Sequence, residues 1–353
     1  MLDQLTGLVA ASRSLDAEQT RLAVGQLVDE NIPATTKAEF LAALARKGET
    51  TEEITEFARA LRDKSIAPPL DPETRAREIL DVCGTGGDRL GTFNISTTVA
   101  IVCAAAGVTV AKHGNRAITS QAGSADVLEA LGVRIDLSPD ESARSLREHG
   151  FAFFFAPNYH PAFKHIAPAR KLCAERGQRT IFNFLGPLLN PARPSAQLIG
   201  VPRPELCEPI ARVLQSLGVR RGMVVCGKVS GARDQVSGET SLDELSSLGP
   251  NTIAEFYQER GFACSTLAPE QFPLQPATLA DLLGGDRAAN AEIVRRILHG
   301  DERGPKRDAV LLNAGAALFV AGLVRSLSAG WELAAETIDG GQAQAKLREL
   351  AGR

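Results

Sequence analysis

The sequence predicts an α/β protein, a small helical domain followed by a larger α/β domain with a mainly parallel central sheet. Three observations carry this prediction. Residues 1–66 hold apolar positions at helical spacing. Prolines crowd residues 67–72, APPLDP. From about residue 78 short β-rich runs alternate with helical stretches, the pattern of parallel strands joined by crossover helices.

In the first segment Leu22, Val24, Leu27 and Val28 form one apolar block, and Phe40, Leu41, Leu44 and Ala45 another. Pro33 and Gly48 punctuate them. The prolines of 67–72 force extended backbone, so the expected domains are 1–70 and 71–353. Expected strands cover residues 79–83, 108–111, 151–156, 196–201 and 222–226. Ser138, Pro139 and Glu141 spell a capping box with proline in the first turn, and Gly150 ends that helix. A helix over 161–176 and the stretch to 194 exceed what a crossover requires. Residues 161–194 are therefore expected to dock on the N-terminal helices and make the small domain discontinuous.

Bulk properties remove several function classes. With a formal charge of -3 and scattered Lys and Arg, the chain lacks the basic stripe a nucleic-acid backbone demands. The N-terminus carries Asp3, no basic leader and no long apolar run, which reads as neither signal peptide nor membrane anchor and sets a cytoplasmic expectation. Six cysteines, at 83, 103, 173, 207, 226 and 264, form no C-x-x-C pair and no zinc-like cluster with the five histidines. They read as reduced, mostly buried thiols.

The first chemistry-bearing feature is a strand running straight into Gly84-Thr85-Gly86-Gly87-Asp88. Three glycines let backbone N–H groups turn toward an anion without Cβ obstruction. Thr92, Phe93, Asn94, Ile95, Ser96 and Thr97 follow, then an apolar helix through Ala106. Its unpaired amides and dipole sit beside the glycine turn, and the combination reads as a phosphate site. A bare tight turn is the structural alternative. A dinucleotide fingerprint fails because Arg89 stands at the third glycine position, and the Walker pattern is absent.

A second loop follows the next strand, with Lys112, His113, Gly114, Asn115 and Arg116, then Ala117, Ile118, Thr119, Ser120, Gln121, Ala122, Gly123 and Ser124. Parallel strands end on one sheet edge, where ligands of open α/β folds bind, so both loops are expected to face one crevice. Lys112 with the donors of Asn115, Arg116, Ser120 and Ser124 suits a diphosphate, while His113 is equally a structural hydrogen-bonding residue. Asp243-Glu244, taken alone, reads first as surface charge, although such a pair also suits Mg²⁺ shared with phosphates.

Together these residues resemble the anthranilate phosphoribosyltransferase family. The resemblance runs through Gly84 to Asp88, the 92–97 and 112–116 runs, GSADVLE at 123–129, RTIFNFLGPL at 179–188, His160-Pro161-Ala162, Lys164-His165, Pro168 with Arg170, and DAVLLNA at 308–314. It covers nearly the whole chain.

What it implies is a nucleoside phosphorylase/phosphoribosyltransferase-like fold, paired as a homodimer through the helical parts, with phosphoribosyl diphosphate and anthranilate as small-molecule substrates. Phosphoribosyl diphosphate would meet Gly84, Gly87, Asp88, Thr92, Asn94, Ile95, Ser96, Thr97, Lys112, His113, Gly114, Asn115, Arg116, Ala117, Ile118, Thr119, Ser120 and Ser124. Ser96, Asp243 and Glu244 would hold Mg²⁺, two ions per active site. Anthranilate would lie by Gly84 and Asn115 with Arg170 near its carboxylate, making Lys112, Asn115 and Arg170 the expected catalytic groups. Thr119 and Ala122 depart from the family's more usual serines, and residues 230–240 look like extra sequence before the acidic pair. The rival readings are a pyrimidine nucleoside phosphorylase-like enzyme and a non-catalytic, nucleic-acid-binding paralogue.

Overall fold

The structure, a computed structural model, describes residues 1–117, 121–230, 240–257 and 261–352. The chain opens with four helices, α1 (Leu2–Ala10), α2 (Ala17–Val28), α3 (Ala34–Lys47) and α4 (Thr51–Arg62). Capping boxes at Asp16/Gln19 and Thr50/Glu53 start α2 and α4, and Gly48 at φ 87° closes α3. The proline run leads through a short α5 (Pro72–Ala76) into β1 (Ile79–Gly84).

Crossover units follow: α6 (Ile95–Ala105), β2 (Thr109–Gly114), α7 (Ser124–Ala130), α8 (Pro139–His149) and β3 (Phe151–Phe155). The excursion from β3 to β4 (Ala196–Gly200) carries α9 (Ala156–Tyr159), a 3₁₀ turn at Pro161–His165, α10 (Ala167–Glu175) and α11 (Phe182–Leu185). The single helix expected over 161–176 is thus two pieces, split at Ile166 just before Pro168. Next come α12 (Cys207–Ser216), β5 (Arg221–Lys228), β6 (Ser241–Leu242), β7 (Asn251–Tyr257) and β8 (Gly261–Leu267). Four helices finish the chain: α13 (Arg287–His299), α14 (Pro305–Val320), α15 (Leu327–Asp339) and α16 (Gln342–Leu350).

The strands form one sheet in the order β3-β2-β1-β4-β5-β7-β8, with β6 paired to β5. β1 to β5 are mutually parallel, and β6, β7 and β8 are antiparallel additions. The antiparallel ribbon was not among the expected strands. β2 also runs through Gly114, so Lys112 and His113 belong to the strand rather than to the loop beyond it.

Alternation along each strand divides the core. Leu80, Val82, Leu198, Met223 and Val225 pack beneath α6, α7 and α13 to α16. Ile199, Val201, Val224 and Cys226 face the other way and share a cluster with α1 to α4, α10 and α12. α10 lies on α3, where Lys37 Nζ donates to the His165 carbonyl at 2.8 Å. The carboxyl ends of β1, β2, β4 and β5 therefore emerge on one edge, beside the junction with the N-terminal helices.

Candidate active site

Glycines stand at the ends of three adjacent strands, Gly84 on β1, Gly114 on β2 and Gly200 on β4. At Gly200 the reason is steric, since a Cβ would lie 1.5 Å from the Asp243 carbonyl oxygen. The segment carrying Asp243 and Glu244 passes directly over the strand ends. Asn313 of α14 holds it there, accepting from Leu245 N and donating to Leu245 O, both at 2.9 Å. Asn251 accepts from Ser246 N at 2.6 Å. Asp243 and Glu244 are buried, at 7% and 8% exposure, which removes the solvated-charge alternative.

The glycine turn closes on Asp243. Gly86, at φ 73°, and Gly87 donate backbone N–H groups to Asp243 Oδ2 at 2.5 and 3.1 Å, and Thr85 Oγ1 donates at 3.2 Å. These amides are an anion-binding nest, and a carboxylate oxygen sits where an external anion's oxygen would go. Burial, with Asp88 and Glu244 close by, pushes the Asp243 carboxyl well above its usual range. Burial likewise raises Glu244 to about 8, opposed by Lys112 and by hydrogen bonds from the Ser96 amide and hydroxyl.

Lys112 is fully buried. Its Nζ donates to Val82 O at 2.7 Å and to Ser96 Oγ at 3.3 Å, and burial lowers its pKa. The expected loop lysine is thus an internal cation behind Ser96 and Glu244. Asn94 caps α6, its Nδ2 donating to Ala122 O at 3.3 Å while Asn290 Nδ2 donates to its Oδ1 at 3.0 Å. Thr97 is buried with a hydroxyl that meets no partner among the described residues. Thr92 bridges to Leu283.

Beyond β2 the chain is clasped onto the start of α7. Asp126 Oδ2 accepts from Ala117 N and Gly123 N, both at 2.9 Å, and its Oδ1 accepts from Arg116 Nη1 at 2.9 Å. Glu129 takes both Arg116 amino groups, at 3.0 and 2.9 Å. Arg116, expected as a phosphate donor, is therefore already engaged, and its guanidinium covers the Phe155 ring. Ser124 Oγ and Ala125 N both donate to Asn115 O, fixing that turn. Ile118, Thr119, Ser120 and most of the 230–240 stretch lie outside the described residues.

Arg170 stands apart on α10 with its guanidinium over the Phe182 ring, 5.4 Å from the centroid. Burial lowers its pKa, and its backbone N–H donates to the Ile166 carbonyl at 3.1 Å. Edge-to-face contacts lead from it back to β2, as Phe182 meets Phe163 at 5.6 Å, Phe163 meets His160 at 5.3 Å and His160 meets His113 at 5.3 Å. Sequence reasoning assigned no role to Phe163 or Asp126. Asp126 lies in the GSADVLE run, three residues after Gly123 at the start of α7, and that N3 position is the signal that could have found it.

The donor set is one of hard oxygens, from Asp88, Asp243, Glu244 and Ser96. Among the described residues no group of three or more His, Cys, Asp or Glu side chains forms a ready-made metal cage. One or two carboxylates at a phosphate nest are the arrangement that fits Mg²⁺, which keeps waters and shares phosphate oxygens.

A helical bundle joined to an α/β unit, with an anion nest on its parallel edge, is the architecture of a glycosyl transferase family. Residues 4–65 match the model of that family's helical bundle domain and residues 76–344 that of its a/b domain. Anthranilate phosphoribosyltransferase of Lacticaseibacillus casei is 45% identical over 350 residues, covering 99% of this chain and 96% of that protein. The enzyme of that name from Geobacter sulfurreducens is 47% identical, covering 89% of this chain and 88% of its own. Among solved structures, anthranilate phosphoribosyltransferase from Thermus thermophilus superposes with a TM-score of 0.87 at 41% identity, covering 99% of this chain and 98% of that one. The Saccharomyces cerevisiae enzyme in complex with PRPP and Mg gives 0.81 at 26% identity, covering 95% and 91%. The chain belongs to the anthranilate phosphoribosyltransferase family.

Proposed function

We propose that this protein transfers the phosphoribosyl group of 5-phosphoribosyl 1-diphosphate to the amine of anthranilate, giving N-(5-phosphoribosyl)anthranilate and diphosphate for tryptophan biosynthesis. The observation that carries this reading is the buried carboxylate of Asp243 in the glycine nest, beside Glu244 on Ser96.

In the reaction the C1–O bond to diphosphate breaks with its electron pair leaving on oxygen, the anthranilate nitrogen bonds to C1, and the amine loses a proton. The nest amides of Gly86 and Gly87, with Gly84, Asp88, Thr92 and the residues from Asn94 to Thr97, are assigned to the diphosphate and ribose phosphate. Lys112, Gly114, Asn115 and Ser124 complete that wall. Arg116 is assigned the positioning of its own turn. Mg²⁺ held by Ser96, Asp243 and Glu244 would supply counter-charge to the departing diphosphate.

Arg170 is assigned the anthranilate carboxylate, a match for a planar guanidinium. An arylamine keeps its lone pair at neutral pH, so orientation by Asn115 and Arg170 suffices and no dedicated base is assigned. His113 and His160 stay neutral, held to about 3 and about 4 by burial. Residues 1–70 with 161–194 are taken as the helical unit, through which the chain would pair as a homodimer in the cytoplasm. Among the described residues no helix is long and apolar enough to cross a membrane.

The test mixes purified protein, phosphoribosyl diphosphate, Mg²⁺ and anthranilate and follows loss of anthranilate fluorescence, with an Asp243→Asn, Glu244→Gln variant alongside. Magnesium-dependent loss, abolished in the variant, is expected. A folded wild-type protein that leaves the fluorescence unchanged but cleaves a pyrimidine nucleoside with phosphate would overturn the reading.

A further inference from the structure

The sheet has a second edge, at the amino ends of the same strands, and a cleft of about 560 Å³ opens there. It lies where the chain crosses between the N-terminal helices and the sheet. Arg62 comes from the end of α4, Arg75 from α5 just before β1, and Arg193 from the turn just before β4. Ala67, Pro191, Pro194, Leu217 and Gly218 complete the wall, and among the described residues no carboxylate lines the cleft.

Three guanidiniums in one cleft repel one another. Burial, with the charge of Arg193 next, lowers the pKa of both Arg62 and Arg75. Their existing partners leave most donors unused. Arg62 Nε donates to the Leu188 carbonyl, Arg75 Nη1 to Ala192 O at 2.6 Å, and Arg193 Nη2 to Asp63 Oδ1 at 3.0 Å. Arg62 is 6% exposed, and its Nη2 is buried with no acceptor among the described residues. The neighbouring carboxylates are taken. Glu78 pairs with Arg220, and Asp81 accepts from Asn190 Nδ2 at 2.8 Å and from His113 N at 3.3 Å. Asp63 itself is 63% exposed on the rim. A buried guanidinium without an acceptor is costly, and clustered Arg is the usual receptor of phosphoryl oxygens.

We propose that this cleft, formed by Arg62, Arg75 and Arg193, is a second anion site that takes a phosphoryl oxyanion, separate from the glycine nest. β1 runs from one site to the other, and its five residue steps at ~3.3 Å each put the two roughly 16 Å apart. A bound anion would bridge both chain crossings, tying α4 to the segments that enter β1 and β4.

The test is isothermal titration of the full chain with inorganic phosphate, in the presence of saturating phosphoribosyl diphosphate and Mg²⁺ to fill the nest. One further phosphate per chain is expected to bind. In an Arg75→Gln, Arg193→Gln variant its dissociation constant should rise by about ten-fold or more, as expected for charge-assisted bonds worth about 1.5–3 kcal/mol. Arg77→Gln, a half-buried arginine outside the cleft that pairs with Glu73, should leave it unchanged. Arg75 is exposed, so Arg75→Gln alone serves if the double variant does not fold. Diphosphate titrated in parallel tells whether the cleft takes one phosphoryl group or two. Absence of phosphate binding beyond the nest, or equal binding by wild type and variants, overturns the proposal. Failure of phosphoribosyl diphosphate to bind would count instead against the transfer reaction, because the comparison of variants can be made without it.

Discussion

Arg170 is half-buried and rests one face of its guanidinium on the Phe182 ring, which leaves its planar donors open to a carboxylate. Arg170→Gln is expected to raise KM for anthranilate by about ten-fold or more, from the ~1.5–3 kcal/mol of a hydrogen bond to a charged group, and to leave KM for phosphoribosyl diphosphate nearly unchanged. Steady-state kinetics with each substrate varied in turn checks this. Gly200 offers the opposite kind of residue, one that matters for what it lacks. Gly200→Ala would drive a methyl group into the Asp243 backbone. It should abolish most activity and destabilise by about 1–3 kcal/mol, measurable by denaturant titration.

At the scale of elements, the join between β2 and α7 depends on Asp126, whose one carboxylate gathers Arg116, Ala117 and Gly123. Asp126→Ala should raise KM for phosphoribosyl diphosphate more than it lowers kcat, whereas Asp126→Asn, which keeps an acceptor oxygen, should recover part of the loss. Parallel strands and their crossover helices were legible in the sequence because the strands are buried on both faces and read as short, mainly apolar runs, β3 wholly so and β1 and β4 with one polar residue each. β8 was not, since most of its side chains face solvent and erase the period. Lys112 misled for a related reason. A lysine normally ends a buried strand, and the Val82 carbonyl, the Ser96 hydroxyl and the charges of Asp81 and Glu244 allow this one to lie inside. The two glycine-edged loops were readable in advance, but the capture of Arg116 by Asp126 and Glu129 was not, because it depends on side-chain geometry after folding.

For the molecule as a whole, the buried histidine pair sets an acid limit. His113 and His160 titrate near 3 and 4 in the folded chain, both below the ordinary 6.5. The unfolded chain therefore binds their protons first as pH falls. Their contribution to stability is complete above about pH 6.5 and declines below it, by up to about 1.4 kcal/mol per pH unit for each histidine, until the folded pKa is reached. His160→Phe should flatten this dependence between pH 6.5 and 4.5, as read from urea midpoints across that range. The same edge-to-face tier joins β2 to α11, and its last ring, Phe182, carries the guanidinium of Arg170 from α10.

With the diphosphate assigned to the glycine nest as proposed, the Asp243 carboxylate that fills it would make the free protein its own competitive inhibitor. If the proposed diphosphate takes the nest amides it has to evict this carboxylate, and its apparent affinity is then reduced by the fraction of molecules in which the nest is already filled. Once evicted, the carboxylate is free to take a cation, so anion entry and cation capture are reciprocal and each tightens the other by the same factor. Without Mg²⁺, Asp243→Asn should therefore bind phosphoribosyl diphosphate more tightly than wild type, and with Mg²⁺ more weakly. That reversal of rank, measured by calorimetry, would show that one side chain acts as gatekeeper in the empty site and as ligand in the filled one.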